Sequence, residues 1–325
     1  MSESFSARQL LLPLVPLYRA GLGWRELRLR FGMEAVRRLR CSVISVGNLS
    51  TGGSGKTPLT IALARLLSDR GFGVDVLSRG YGRRSEAAAR VDPHGSAEEF
   101  GDEPILIARE SGVPVYVARQ RYEAGVLAEA SLEKIVHLLD DGFQHRQLAR
   151  DVDILLLDRQ DWRGGLLPAG NLREPLRAAR RADIIAIPAD DLALEAELRS
   201  WGWNGPVWRL RRIMEIPAVN GPIAAFCGIA RPEQFFAGLE AAGIQVKGRA
   251  AFRDHHSYSK GDLERLVSVA RAGGATALIT TDKDLVRLGA LVAATPEALP
   301  IKSIGLRVEI EEQEDAVEWI YNKIK

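Results

Sequence analysis

Short apolar runs alternate with segments of helical periodicity along most of the chain. Six runs are almost entirely apolar, which is typical of strands buried on both faces of a parallel sheet. They lie at 42–46, 74–77, 113–118, 134–140, 153–158 and 183–188. Helical patterns such as Pro58–Asp69 and Tyr122–Ala130 separate them. The alternation predicts an α/β fold: a doubly wound, mostly parallel sheet with helices on both faces.

The pattern changes near residues 201–222, where glycine, proline and tryptophan interrupt it. We interpret this stretch as a connector, with a linker at 211–222 between a core domain (41–210) and a smaller C-terminal α/β domain (223–325). The second domain is predicted from alternating strand and helix patterns. The strands are 223–228, 245–252, 277–281 and one near Lys302–Gly305, and the helices are 232–243, 260–274 and 314–324.

The first forty residues have a different character, with eight arginines against three acidic residues. Trp24, Leu27, Phe31 and Ala35 are spaced by three, four and four, which predicts one apolar stripe of an amphipathic helix. Two interpretations stay open. The helix packs on the main domain with solvated arginines, or it lies in a membrane interface with its arginines on anionic headgroups.

Composition narrows the class of protein. Apolar residues are 46% and charged residues 26% of the chain, as in a globular protein with a packed core. The sequence contains no run of eighteen apolar residues, so no membrane-spanning helix is predicted. The two cysteines are far apart and form no CxxC pair. Aromatic residues are only 6%, so no nucleic-acid partner is predicted. The sequence makes no prediction about protein partners.

A glycine-rich turn, "NLSTGGSGKTPLT" at 48–60, follows the first strand and precedes a helix. This is the context of a phosphate loop, in which backbone N–H groups and a helix N-terminus converge on phosphate oxygens. Lys56 is expected to reach the β- and γ-phosphates and Thr57 to ligate Mg²⁺. Ser50 departs from the strict pattern, which has glycine there. The other predicted cradle residues are Gly52, Gly53, Ser54 and Gly55.

A second carboxylate site follows the strand 134–140. Asp140 and Asp141 lie at its carboxyl end, where open α/β sheets bind ligands, so one of them is expected to serve Mg²⁺. A solvated turn is the alternative. The guanine-specifying pattern N-K-x-D is absent, because "TDKD" at 281–284 lacks the asparagine. ATP with Mg²⁺ is therefore the predicted nucleotide.

Seven motifs in order carry a resemblance to a known family. They are "VGNLSTGGSGKTP", "SRGYGR", "GDEP", "DDGFQHRQL", "GGLLPAGNLREP", "FRDHHSY" and "TDKD". Together they resemble the tetraacyldisaccharide 4′-kinases of lipid A biosynthesis, over nearly the whole chain. The resemblance implies transfer of the γ-phosphoryl group of ATP to the 4′-hydroxyl of a tetraacylated glucosamine disaccharide 1-phosphate. It also implies a peripheral enzyme at the cytoplasmic face of the inner membrane.

The resemblance further implies a proton acceptor shared between the two domains. Asp102 of "GDEP" would act with His255 of "FRDHHSY", and His256 next door stays an alternative. A metal site at "DHH" is disfavoured because no third ligand lies nearby. Glu103 resembles an active-site acid, although a charge at a helix N-terminus explains it equally. Lys56 and Asp141 complete the implied catalytic set.

Further residues match the family's motifs. Arg79 and Tyr81 are expected to contact nucleotide, phosphate or sugar. Arg173 would bind a phosphate of either the nucleotide or the substrate, and Arg121 can equally be an ordinary surface arginine. The implied substrate-binding residues are Arg121, Gln144, His145, Asn171, Arg173 and Glu174.

The N-terminal segment then has a predicted purpose, since the acyl chains of such a substrate stay in the bilayer. Its arginines would hold the enzyme on anionic lipids of the inner-membrane surface. Two alternatives remain. One is a membrane-associated nucleotide switch or ATPase without a lipid acceptor, and the other is a small-molecule kinase or ligase on the same core.

Overall fold

The computed structural model describes residues 7–53, 55–131, 135–292 and 299–324. Within these ranges the chain forms twelve strands, eleven α-helices and three short 3-10 helices. The strands are β1 (Ser42–Asn48), β2 (Gly73–Ser78), β3 (Ala89–Arg90), β4 (Val115–Val117), β5 (Ile135–Asp140), β6 (Val152–Leu156), β7 (Ile184–Pro188), β8 (Val207–Glu215), β9 (Ile223–Cys227), β10 (Val246–Ala251), β11 (Ala277–Thr281) and β12 (Ile301–Ile310). The α-helices are α1 (Val15–Arg30), α2 (Lys56–Asp69), α3 (Ala97–Phe100), α4 (Asp102–Ser111), α5 (Arg121–Glu129), α6 (Arg159–Trp162), α7 (Leu192–Ser200), α8 (Pro232–Ala241), α9 (Lys260–Ala272), α10 (Asp282–Leu288) and α11 (Gln313–Ile324). The 3-10 helices are Ala7–Leu14, Leu176–Arg181 and Gly289–Leu291.

One sheet joins all twelve strands, in the order β10-β9-β11-β12-β8-β7-β6-β1-β5-β2-β4-β3. Neighbours pair in parallel except β8 with β12 and β3 with β4. β1 lies between β5 and β6, so the loops after β1 and β5 meet at a switch point of the sheet, where such folds bind ligands. The predicted doubly wound, mostly parallel α/β fold is confirmed.

Helices cover both faces of the sheet. Ile44 of β1 shares an apolar core with Leu63 of α2, whereas its neighbour Val43 shares one with Ala124 of α5 on the opposite face. Successive strand residues point to opposite faces, so strands covered twice must be apolar at nearly every position. Among the described residues, no helix has the length and apolar character needed to cross a membrane.

The stretch interpreted as a connector contains a strand, and this part of the prediction is wrong. Val207–Glu215 form β8, which pairs in parallel with β7 and antiparallel with β12. Residues 207–210 of β8 are buried or half-buried and the rest are half-buried or exposed, and arginines interrupt its apolar residues, so it lacks a continuous apolar run. β12 is also longer than predicted. We call β1–β7 with their helices the core lobe, and β9–β12 with α8–α10 the C-terminal lobe; the exact domain boundaries stay a prediction.

The N-terminal helix ends earlier than its apolar stripe predicts. α1 stops at Arg30, so Phe31 and Ala35 lie beyond it. Gly32 has φ 65° and the N–H of Met33 donates to the carbonyl of Arg28, a left-handed termination for which glycine is favoured. No residue of α1 is buried, although Tyr18 donates a hydrogen bond to the carbonyl of Arg173 at 2.9 Å. The helix therefore touches the core lobe while most of its apolar surface stays exposed.

Gly47 permits a close approach that shapes the site. A Cβ at this position would lie 2.6 Å from Cβ and 2.7 Å from the backbone nitrogen of Phe143. The N–H of Gly142 also donates to the carbonyl of Val46 at 2.9 Å. The turn after β5 therefore rests directly on the end of β1, which fixes the position of the aspartates that precede it.

Replacement of Gly47 by alanine should lower the free energy of unfolding by about 1–3 kcal/mol, because the added methyl group overpacks against backbone. Chemical denaturation measures the change. Gly21→Ala in α1, where nothing lies within 4 Å of the added Cβ, is the matched control and should be neutral or slightly stabilising. Equal stability of the two variants would contradict the proposed close packing.

Candidate active site

The phosphate loop leads from β1 into α2 as predicted. Gly52 and Gly55 have φ of 118° and 93°, so glycine is required for this backbone path. Lys56 begins α2 and donates a hydrogen bond to Oδ1 of Asn48 at 3.0 Å, and Thr57 beside it is buried. Gly53 lines the same cleft, whereas the predicted cradle residue Ser54 lies outside the described residues. The loop thus presents glycine backbone, an ammonium group and a helix N-terminus together.

A second loop braces the phosphate loop from the side. The N–H of Thr51 donates to the carbonyl of Asn171 at 2.8 Å, and the N–H of Arg173 donates to the carbonyl of Leu49 at 2.7 Å. Asn171 therefore contributes backbone contacts to the loop, and its side chain is not among those lining the cleft. Glu174 is buried and pairs with Arg181 at 2.7 Å, away from the cleft. Sequence motifs alone do not distinguish these supporting positions from ligand contacts.

The two aspartates at the carboxyl end of β5 occupy different environments. Asp140 is buried, and desolvation, together with the charges of Glu103 and Asp141, raises its pKa to about 7. Asp141 is less buried; burial alone would raise its pKa, but Lys56 at 3.6 Å and Arg173 at 3.0 Å outweigh burial and lower it. Oδ1 of Asp141 has no hydrogen-bond partner among the described residues. An oxygen of this kind is suited to a hard divalent cation.

Asp102 and His255 meet across the two lobes. Nδ1 of His255 lies 3.1 Å from Oδ2 of Asp102, and Nε of Arg287 donates to the same oxygen at 2.6 Å. Burial alone would raise the pKa of Asp102, but the hydrogen bond from His255 and the charge of Arg287 outweigh it and lower that pKa strongly. The hydrogen bond to Asp102 in turn raises the pKa of His255.

The neighbouring histidine faces elsewhere. Nε2 of His256 lies 3.3 Å from a carboxylate oxygen of Asp262, and its ring stacks on Phe252 at 4.6 Å. His255, by contrast, has φ 57°, and Asp141 has φ 48°; among the described residues these are the only non-glycine positions with positive φ. Unusual backbone conformations persist where the surroundings enforce them, and they concentrate at functional sites.

Glu103 is held by a residue from the other lobe. Lys283 of α10 donates a hydrogen bond to Oε1 of Glu103. Burial alone would raise the pKa of Glu103, but the charge of Lys283 outweighs it and keeps it lowered. Sequence analysis missed both Lys283 and Arg287 as site residues. The motif "TDKD" is the available signal, since it places Lys283 at the start of α10, four residues before Arg287.

The far side of the cleft is strongly basic. Arg121, at the start of α5, is buried, and its Nε has no partner among the described residues. Desolvation lowers the pKa of Arg121 to about 10. Desolvation and the nearby charge of Arg121 lower the pKa of His145 to about 3, so His145 is neutral. Arg79 and Tyr81 are exposed at the rim, with the ring of Tyr81 5.2 Å from that of His255.

One cleft of about 1930 Å³ is lined by Lys56, Glu103, Arg121, Asp141 and His255, among others. Gln144 also lines this cleft: its side-chain Nε2 donates to the carbonyl of Asn48 at 2.8 Å, and its backbone carbonyl accepts from Arg25 of α1. Met33 and Arg37, which follow α1, lie along the same cleft. The cleft therefore extends from the phosphate loop to the N-terminal segment.

A phosphate loop with adjacent buried carboxylates, facing a charged Asp–His pair, defines a phosphate-loop nucleotide-dependent phosphotransferase. The sequence model of the family described as "LpxK: Tetraacyldisaccharide-1-P 4'-kinase" matches residues 7–325. The chain belongs to this family, and it is accordingly a kinase. Nothing in these findings favours the alternative of a nucleotide switch without a lipid acceptor.

Individual relatives agree over nearly full length. A tetraacyldisaccharide 4'-kinase from Koribacter versatilis is 41% identical over 324 residues, covering 96% of this chain and 98% of the relative. One from Nitrobacter winogradskyi is 42% identical over 293 residues, covering 86% and 83%. The crystal structure of an "apo" form LpxK from Aquifex aeolicus in complex with ATP is 35% identical, with a TM-score of 0.77, and covers 98% of this chain and 100% of that one.

Because the pKa of Asp140 is raised, replacing its carboxylate by a neutral group should stabilise the protein by an amount that depends on pH. Its folded value of about 7 lies above an unfolded value of about 3.9, so the carboxylate destabilises the fold increasingly from pH 4 to 7 and constantly above that range. Asp140→Asn should therefore raise Tm at pH 8, with the gain shrinking as pH falls from 7 to 4. Thermal melts of this variant and of Asp69→Asn, an exposed control, test it. A gain that is independent of pH would contradict the assignment.

Proposed function

We propose that this chain transfers the γ-phosphoryl group of ATP to the 4′-hydroxyl of a tetraacyl glucosamine disaccharide 1-phosphate, with the residue roles given below. The observation that carries the proposal is the Asp102–His255 pair, whose histidine lines the cleft that also contains Lys56 and Asp141. A nucleotide switch needs no such proton acceptor beside a cleft of this size.

The nucleotide end of the site is assigned to the phosphate loop. Backbone N–H groups around Gly52–Gly55 and the N-terminus of α2 would bind phosphate oxygens. Lys56 is held by Asn48 and Asp141, and it would exchange these contacts for the β- and γ-phosphates. Thr57, Asp140 and Asp141 fit Mg²⁺, because they line the cleft with the hydroxyl and carboxylate oxygens that this ion prefers, and Oδ1 of Asp141 accepts no hydrogen bond from the described residues. Mg²⁺ would supply charge neutralisation at the phosphates.

His255 is assigned as the proton acceptor. Asp102 is ionised, so it accepts the hydrogen on Nδ1 of His255, and Nε2 is the ring nitrogen left to take the proton of the 4′-hydroxyl. As the 4′-oxygen bonds to the γ-phosphorus, the bond from that phosphorus to the β,γ-bridging oxygen breaks and ADP leaves. Asp102 stabilises the imidazolium that results. Arg287 keeps the carboxylate ionised and oriented, as a positioning residue.

The acceptor end is assigned to the basic side of the cleft and to the N-terminal segment. Arg121, buried with an unpartnered Nε, would bind a phosphate of the substrate. Acyl chains would leave the cleft past the N-terminal 3-10 helix and α1, where Leu10, Leu17 and Trp24 are exposed. Arginines around them would contact anionic headgroups, so that the protein works as a peripheral enzyme on the inner-membrane surface.

The direct test of the proposed function supplies labelled ATP, Mg²⁺ and the acylated disaccharide 1-phosphate. Label should appear in the lipid product in the amount of ADP formed, with little free phosphate. Omission of the lipid should leave only slow hydrolysis. Rapid phosphate release that the lipid does not affect would contradict the proposal and favour an ATPase.

The raised pKa of His255 predicts the acid side of the pH profile. Because the acceptor must be neutral, kcat/KM should fall as pH drops through the pKa of His255, which lies above the usual value of about 6.5. Asp102→Asn removes the charge that raises this pKa. The acid limb should then move to lower pH, and the rate at neutral pH should fall by about 10²-fold or more. His256→Asn is the matched control and should retain the wild-type profile. If the acid limb of the kcat/KM profile of Asp102→Asn did not move, His255 would not be the proton acceptor.

Exposed apolar residues of α1 predict how the enzyme holds to a bilayer. Leu17 and Trp24 are 73% and 60% exposed. Replacing both by glutamate should weaken binding to vesicles that contain anionic lipid by about 10-fold or more, because one buried leucine contributes about 1.5–3 kcal/mol. Leu192→Glu, at a leucine 61% exposed on α7, is the control and should bind normally. Sedimentation with vesicles measures both; equal binding would argue against the membrane role of α1.

A further inference from the structure

A polar cluster lies beside the middle of β5, about half the length of the strand away from Asp140 and Asp141. Cys41 precedes β1, His137 lies on β5 and Glu129 ends α5. One ligand atom from each, the Cys41 Sγ, a ring nitrogen and a carboxylate oxygen, lies within 4.8 Å of the other two. His137 is three residues before Asp140, so about 10 Å of strand separates the cluster from the aspartate pair.

The imidazole of His137 is the unexplained feature of this cluster. The side chain is completely buried, yet Nε2 has no hydrogen-bond partner among the described residues. It lies 3.6 Å from Oε1 of Glu129, beyond hydrogen-bond range. The surrounding sheet face is apolar, with Val43, Leu77 and Leu139 in its core. Burying an unsatisfied polar atom in such a face costs free energy.

The second nitrogen of the ring is fixed. Nδ1 of His137 lies 2.7 Å from Oδ1 of Asp75, its cross-strand neighbour on β2. An Nδ1–H donated to this carboxylate leaves a lone pair on Nε2. A carboxylate behind the imidazole is the usual support of a metal-bound histidine, because it fixes the tautomer and the orientation of the ring.

We propose that Cys41, Glu129 and His137 bind one Zn²⁺ ion, with Asp75 supporting His137 from behind. Thiolate, imidazole and carboxylate together select zinc over Mg²⁺, which prefers oxygen ligands. The separation of 3.6 Å between Nε2 and Oε1 suits neighbouring corners of a tetrahedron. Cys41 is partly exposed, so water can take the fourth position. Oε2 of Glu129 remains paired with the exposed Arg40 at 3.2 Å.

Such an ion joins the entry of β1, the end of α5 and the middle of β5. The Cys41 thiol must lose its proton on binding, so protons are released to solvent when the metal enters. Because the ligands lie away from the phosphate loop, the ion would stabilise the core lobe without participating in phosphoryl transfer.

The test uses the full-length protein, stripped of metal by a chelator and held in excess Mg²⁺. Titration with Co²⁺, a spectroscopic substitute for zinc, should produce a thiolate-to-cobalt absorption band that saturates at one equivalent. Zn²⁺ should abolish this band and raise Tm. Cys41→Ser should lose the band and weaken Zn²⁺ binding by about 100-fold or more, whereas Cys227→Ser should retain both properties.

Glu129→Gln, which keeps the shape of the side chain, should weaken Zn²⁺ binding by about 10-fold or more. This second variant keeps the test valid if Cys41→Ser does not fold. Circular dichroism checks the fold of both variants. Absence of the band in the wild-type protein would overturn the proposal, as would an undiminished band in Cys41→Ser or its loss only in Cys227→Ser. These outcomes do not depend on the kinase assignment, because none of them measures phosphoryl transfer.

Discussion

The buried carboxylate of Asp102 is the charge on which the arrangement of the two lobes depends. It stands at the start of α4 in the core lobe, and its partners, His255 and Arg287, both come from the C-terminal lobe. Removing one partner of a buried ion pair typically costs about 3–5 kcal/mol, because the remaining charge is left uncompensated. In the mechanism that we propose, this contact between the lobes also prepares His255 to accept a proton. Lys283 and Glu103 repeat the same arrangement one residue further along.

The cleft contains buried charged side chains, and burying them without a bound ligand makes folding less favourable. The pKa of Asp140 is raised to about 7 and that of Arg121 is lowered to about 10, in both cases mainly by desolvation. Asp141 and His255 also carry the positive φ angles. Groups of this kind are characteristic of sites that bind charged ligands, because a phosphate or a cation supplies the missing partner. These side chains lower the stability of the free protein and favour the binding of a charged ligand.

Much of the fold follows from local patterns. Strands covered on both faces are continuous apolar runs in the sequence. The glycines before Lys56 predict the phosphate loop. β8 was missed because the sequence from Val207 to Glu215 alternates charged and apolar residues beside a glycine- and proline-rich stretch. The end of α1 depends on the left-handed turn at Gly32. Arg287 was missed for another reason: it lies 185 positions from Asp102, and only tertiary structure brings the two together. Glu174 looked like a ligand contact, but it pairs with Arg181, seven residues away.

We propose that His255 acts on the acceptor hydroxyl and not on the nucleotide. The most direct measurement is a single-turnover experiment on His255→Gln, with ATP prebound and the acylated disaccharide added, next to a measurement of ATP affinity. We expect the Kd for ATP to stay within about 3-fold of the wild-type value, while phosphoryl transfer falls by about 10²–10⁴-fold. Transfer at the wild-type rate would contradict it, and so would a loss that weaker ATP binding fully explains.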